Sequence, residues 1–170
     1  MKYLLIVFIF ILGLFSLGFD INDEVKATHE VRGYIEWFHQ NVHEKYKNRA
    51  WKLAPIVVHY AGMYRIDHLL VAVFISCESS WKWKSIGKKG EIGLLQVHWY
   101  EAKKGFDLSK PEDQIHAGVK WMRHCFDACD QKLDCALNLY ATGSKRKKWK
   151  KLDRRLRLYR EAVRRHRTHE

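Results

Sequence analysis

Glu78 is the residue whose type and position suggest chemistry first. Eight of the ten residues before it are apolar: Leu69, Leu70, Val71, Ala72, Val73, Phe74, Ile75 and Cys77. A carboxyl at the end of such a helix is poorly solvated, and the partial negative charge of a helix C-terminus works against ionisation in the same direction. A carboxylic acid that keeps its proton near neutral pH is what general-acid catalysis needs. An ordinary helix-end glutamate facing solvent fits the same local pattern and is the commoner case. Ser79 follows directly, and fifteen residues after Glu78 the quartet Gly93-Leu94-Leu95-Gln96 begins. Trp81, Trp83 and Trp99 flank that quartet and suit either a core or a stacking surface for a sugar ring. Tyr140, taken alone, reads as core.

Four cysteines offer a second chemistry: Cys77, Cys125, Cys129 and Cys135. An even count in an exported chain points to disulfides. Cys125 and Cys129 lie one helical turn apart, and either is in reach of Cys135 after a turn. Zinc is disfavoured, because the spacing C-x3-C-x5-C lacks the paired C-x2-C knuckles of a structural site. Cys77 sits in the apolar run and suits a small buried residue.

These residues need elements to hold them. Apolar positions Val31, Tyr34, Ile35, Phe38 and Val42 recur at helical spacing within 22–47. A second helix is predicted from about Trp51 to Met63, with Pro55 tolerated near its start. Asp67 is a good N-cap for a helix from His68 to about Ser80, apolar on nearly every side and therefore central and buried. Gly87, Gly90 and Gly93 break the pattern over 81–99, which reads as a hairpin. A short helix is expected at 97–105. Ser109 as N-cap with Pro111 behind it starts another helix, and one more begins near Cys135. From Lys145 the apolar positions Trp149, Leu152, Leu156, Tyr159 and Val163 form one stripe of a helix whose opposite face is basic.

The chain of 170 residues fits one domain with short appendages and is apolar enough to bury a core. Its charge is uneven. Residues 145–170 carry thirteen basic and three acidic side chains, a net +10 of the chain's +12. That tail would either pack as a last helix with its charges solvated, or attract an anionic wall polymer or membrane surface. Nucleic acid is the least favoured partner, because the N-terminus reads as an export signal. Met1-Lys2-Tyr3 is followed by an apolar run to Phe19, with Ser16 and Gly18 suited to a cleavage site. The run also approaches the length of a membrane anchor.

The ordered set of motifs resembles the catalytic core of lytic transglycosylases of the soluble-lytic-transglycosylase type, relatives of goose-type lysozyme. That family carries a Glu-Ser pair at a helix end and a Gly-Leu-Met-Gln motif fifteen residues later; Glu78-Ser79 and Gly93-Leu94-Leu95-Gln96 match it. Gly90 matches a glycine three before the quartet, and Trp81 an aromatic. In AKKGFDLSKPEDQIHAGVKWMRH, Gln114 stands for the family's asparagine. Ala136 to Gly143 matches the third motif, with Tyr140 in place and Ala141 where the family has asparagine. The similarity covers roughly residues 50–143.

The resemblance implies a mainly α (α+β) lysozyme-like fold with a small β-hairpin after the catalytic helix. With the apolar and charge patterns, the chain divides into a signal peptide or membrane anchor at 1–19, an N-terminal helical segment at 20–48, a lysozyme-like transglycosylase domain at 49–144 and a basic amphipathic helix at 145–170. The resemblance also implies cleavage of peptidoglycan glycan strands between N-acetylmuramic acid and N-acetylglucosamine, without cofactor or metal. The 1,6-anhydro product of a transglycosylase is the first expectation. Hydrolysis by a muramidase, and an inactive cationic wall- or membrane-binding protein, are the alternatives. Glu78 would be the acid and then the base. Ser79, Gly93, Leu94 and Gln96 would bind substrate, and Tyr140 would orient the Glu78 carboxyl. Glu91 is the only other acid between Glu78 and Gln96, expected on an exposed hairpin. The expected location is periplasmic, free or anchored in the inner membrane.

Overall fold

The computed structural model describes residues 21–38, 44–98, 100, 104–145 and 152–167. The apolar N-terminal run, Val42, Trp99 and Trp149, on which sequence expectations rest, lie outside the described residues.

The segment from 69 to 75 has no polar side chain, so it must be surrounded. It forms helix α3 (His68–Ser79), after α1 (Ile21–Phe38) and α2 (Glu44–Met63). Residues Leu69 to Ile75 are all buried. The expected cap holds: the Asp67 carboxylate accepts from the backbone N–H of Leu69 at 2.9 Å and of Leu70 at 3.3 Å. These are two of the donors that a helix start leaves unpaired. α1, α2 and α6 (Leu152–His166) pack around α3, and their apolar faces share one core with it. From α1 that core takes Val31, Tyr34 and Ile35; from α2 it takes Ala50, Leu53, Ala54, Val57, Val58 and Ala61.

Three boundaries differ from expectation. α2 starts at Glu44, so Pro55 sits inside the helix rather than near its start. The missing Pro55 N–H costs a helical hydrogen bond, and burial of Leu53, Ala54, Val57 and Val58 around it offsets that loss. α4 (Pro111–Ala128) has Lys110, not Ser109, at its cap position. Ser109 is committed elsewhere: its N–H and its hydroxyl both donate to Asp107 Oδ1. Residues 97 and 98 are a strand rather than the start of a helix.

That strand, β2 (Val97–His98), pairs antiparallel with β1 (Glu91–Ile92), Glu91 opposite His98 and Ile92 opposite Val97. The quartet Gly93–Gln96 is therefore the loop of the hairpin. α5 (Leu133–Thr142) completes the described elements. α6 lays Leu152, Leu156 and Ala162 into the core, so the basic tail helix packs on the domain. Among the described residues, no helix is long and apolar enough to cross a membrane. Cys135 bridges to Cys129, which leaves Cys125 as a buried thiol; burial pushes that thiol up to about 12. The bridge takes two of the three cysteines a zinc site there would need.

Candidate active site

Glu78 occupies the penultimate position of α3, where the helix must stop. Ser80 and Trp81 both adopt positive φ, 51° and 63°. A left-handed tryptophan is costly, and two features hold it there. Trp81 is fully buried, and its indole N–H donates to Ser76 Oγ at 2.8 Å. Trp81 is thus a core residue that turns the chain, not a surface for stacking on a sugar.

The Glu78 carboxyl is not the isolated acid of the sequence reading. The Arg155 guanidinium, from α6, donates to Glu78 Oε1 at 2.8 Å. The Arg155 side chain is 6% exposed and that of Glu78 19%. The pair is nearly dry and joins the two ends of the domain across 77 positions of sequence. Arg155 occupies Oε1, and the Glu78 side chain keeps part of its surface exposed.

The quartet is held from three sides. Leu94 and Leu95 are fully buried and anchor the loop. The Gln114 side chain, from the first turn of α4, works as a clamp. Its Oε1 accepts from the Leu94 N–H at 2.9 Å, and its Nε2 donates to the carbonyls of Trp83 and Leu108, each at 2.9 Å. Gly93 must be glycine here, since its φ is +76° and a Cβ would lie 1.9 Å from Gln114 Oε1. Gly118 is equally constrained, because a Cβ there would meet Leu95 Cδ1 at 2.5 Å. On the third side the Tyr140 hydroxyl donates to the Leu95 carbonyl at 2.8 Å. Burial first, then the charge of Glu78 and the nearby Cys125, push this hydroxyl well above the usual tyrosine range. It stays protonated, and its hydrogen bond goes to Leu95 rather than to Glu78.

Gln96 has φ of +49°, and its Nε2 donates to the Gly93 carbonyl at 2.9 Å, closing the loop on itself. Ser79 is buried, and its hydroxyl donates back along the helix to Ile75 O at 3.1 Å. A cleft of about 180 Å3 runs along the loop, lined by Glu91, Gln96, His98, Trp121, Tyr140 and Gly143 among others. It brings Gln96 and Tyr140 to one surface. Glu78, Ser79, Gly93 and Leu94 are not among the residues that line it. Glu91 is half-buried and lines the cleft, which corrects its placement on an exposed hairpin.

Sequence reasoning missed Arg155, the clamp formed by Gln114, and Trp121. Arg155 lies three residues after Leu152 and four before Tyr159, in register with the apolar stripe of its helix. A cation in that register must be buried and must find an anion. That was the available signal.

The transglycosylase SLT domain family model matches residues 56–160, more than half of the chain. The span holds Glu78, the quartet, Gln114, Tyr140 and Arg155. No curated protein and no solved structure matches significantly.

Proposed function

Because the chain belongs to the transglycosylase SLT domain family, we propose that it is a peptidoglycan lytic transglycosylase in which Glu78 is first the acid and then the base. The observation that carries the reading is the placement of Glu78. It is a carboxyl at the end of the most buried helix, paired through one oxygen with Arg155 and still partly exposed. A family that acts on peptidoglycan works outside the cytoplasmic membrane.

The glycan strand lies along the cleft, against Gln96 and beside Tyr140. Glu78, ion-paired with Arg155 in the free protein, reacts from its protonated form: it gives its proton to the oxygen linking N-acetylmuramic acid to N-acetylglucosamine, and the C–O bond at the anomeric carbon breaks. The acetamido carbonyl oxygen of the same N-acetylmuramic acid closes on that carbon, an exception to the usual two-carboxylate route. Glu78, now a carboxylate, takes the proton of the C6 hydroxyl. The C6 oxygen then displaces the acetamido oxygen and leaves a 1,6-anhydro ring. Arg155 holds the carboxylate in place between the two proton transfers, and Gln114 and Tyr140 hold the loop against which the sugar is oriented.

One observation favours a second reading. Glu91 lines the cleft, and a second carboxylate is what a hydrolase uses to activate water. Digestion of purified murein followed by mass spectrometry separates the two. Anhydro ends, insensitive to Glu91→Gln, support the transglycosylase. Reducing ends that disappear in Glu91→Gln identify a muramidase, and no released fragments at all would mean that the fold serves only binding.

A further inference from the structure

A second groove, of about 420 Å3, is lined by Tyr46, Arg49, Lys82, Trp83, Lys84 and Ser85. One wall comes from the start of α2, before the span that the family model matches. The other is the chain that leaves α3 just after Glu78. The Arg49 guanidinium lies 6.0 Å from the centre of the Trp83 ring, and Lys84 Nζ lies 4.8 Å from the same ring. Lys82 Nζ lies 5.3 Å from the centre of the Tyr46 ring. Each ring face attracts its cation, so the three charges converge on one groove. Among the described residues, none of the three forms an ion pair with a carboxylate. The rings, already engaged by cations, are poor platforms for a sugar. The groove therefore selects for negative charge.

It is also tied to the sugar-binding loop. The Ser85 carbonyl accepts from the Gly93 N–H at 2.8 Å. The Trp83 carbonyl accepts from the same Gln114 side chain whose oxygen holds Leu94. Hydrogen bonds thus join the chain that forms the groove's wall to the quartet loop and its clamp. We propose that the groove binds the carboxylates of the peptide that branches from N-acetylmuramic acid. Arg49 offers a planar fork that pairs with a carboxylate through two hydrogen bonds, while the lysines act as point charges. The peptide is favoured over a separate wall polymer because it is the anionic part of the very strand the loop would hold. This inference rests on the reading of peptidoglycan as substrate, but its ligand chemistry can be tested without turnover.

The test is an NMR titration of the full chain with a sugar-free stem peptide, with the same peptide amidated at its carboxyls, and with poly(glycerol phosphate). The proposal expects saturable shifts at Arg49 and at 82–85 with the free peptide. They should weaken at least tenfold with the amidated peptide or in Lys82→Gln/Lys84→Gln, and weaken with added salt. The same double variant should raise KM about fivefold more on peptide-bearing murein than on peptide-free glycan. Absence of saturable shifts, equal shifts with the amidated peptide, or shifts with poly(glycerol phosphate) alone would overturn it. Peptide binding without any cleavage of murein would instead sink the enzymatic reading and leave the groove's ligand class standing. Cleavage without peptide binding would do the reverse.

Discussion

Replacing Arg155 by methionine keeps much of the apolar stem and removes the charge that pairs with Glu78. Removing one partner of a fully buried pair costs about 3–5 kcal/mol, and an exposed pair is worth about 0.2–1 kcal/mol. With Arg155 at 6% exposure and Glu78 at 19%, the pair lies close to the buried limit without reaching it. Arg155→Met should therefore cost about 2–3 kcal/mol, most of it from the carboxylate left behind. In a chain of this size that lowers Tm by roughly 4–12 °C. Adding Glu78→Gln removes the stranded charge, so the double variant should recover about 1–2 kcal/mol. Urea unfolding of the four proteins, extrapolated linearly to water, gives the coupling energy directly. A coupling below about 0.5 kcal/mol, the additivity limit for independent sites, would refute the pairing of α6 with α3. Arg155→Lys should recover part of the stability but less activity, because a lysine cannot reproduce the planar contact.

Gly93→Ala should cost at least about 2 kcal/mol, since it adds a Cβ 1.9 Å from Gln114 Oε1 in a left-handed backbone. Murein cleavage by a variant that still folds should fall with it, as followed by turbidity. Asp67 should make folding sensitive to acid. Burial raises its carboxyl, but the hydrogen bond and charge of Arg167, with His68 and Tyr159, outweigh that and hold it below its usual 3.8. The stabilisation is thus present above the unfolded value and lost as pH falls through the lower folded one. Urea midpoints between pH 5 and pH 2 should show a loss that is absent in Asp67→Asn. Cys135→Ser opens a short disulfide loop and should cost about 2 kcal/mol. Cys125, with its thiol pushed up to about 12, should resist alkylation until the protein unfolds.

The parts legible in the sequence were those written in local pattern. Asp67 precedes an unbroken apolar run, so both the cap and the central helix follow from neighbours within a few residues. The glycines from 87 to 93 break helical periodicity and give a hairpin. Its strands are only two residues each, because Leu94 and Leu95 are pulled into the core by the loop between them. What failed was set by burial and by competing partners, some near in sequence and some far. Pro55 lies inside a helix because its buried neighbours outweigh the lost hydrogen bond. Ser109 does not cap because Asp107 is nearer. Nothing within twenty residues of Glu78 announces Arg155. Only the register of the tail helix does, and a basic stripe in a basic tail conceals it. Gln114 was visible as a motif residue, but its three hydrogen bonds, to Leu94, Trp83 and Leu108, exist only once α4 meets the hairpin.

The central claim is that Glu78 performs both proton transfers. The most direct measurement is mass spectrometry of the fragments released from purified murein by the wild-type chain and by Glu78→Gln, with folding of both checked by circular dichroism. The account predicts 1,6-anhydro-muramic ends from the wild type and at least a hundredfold less product from the variant, the loss expected when the acid–base group is removed. A folded Glu78→Gln protein that releases the same anhydro products at a rate near wild type would contradict it.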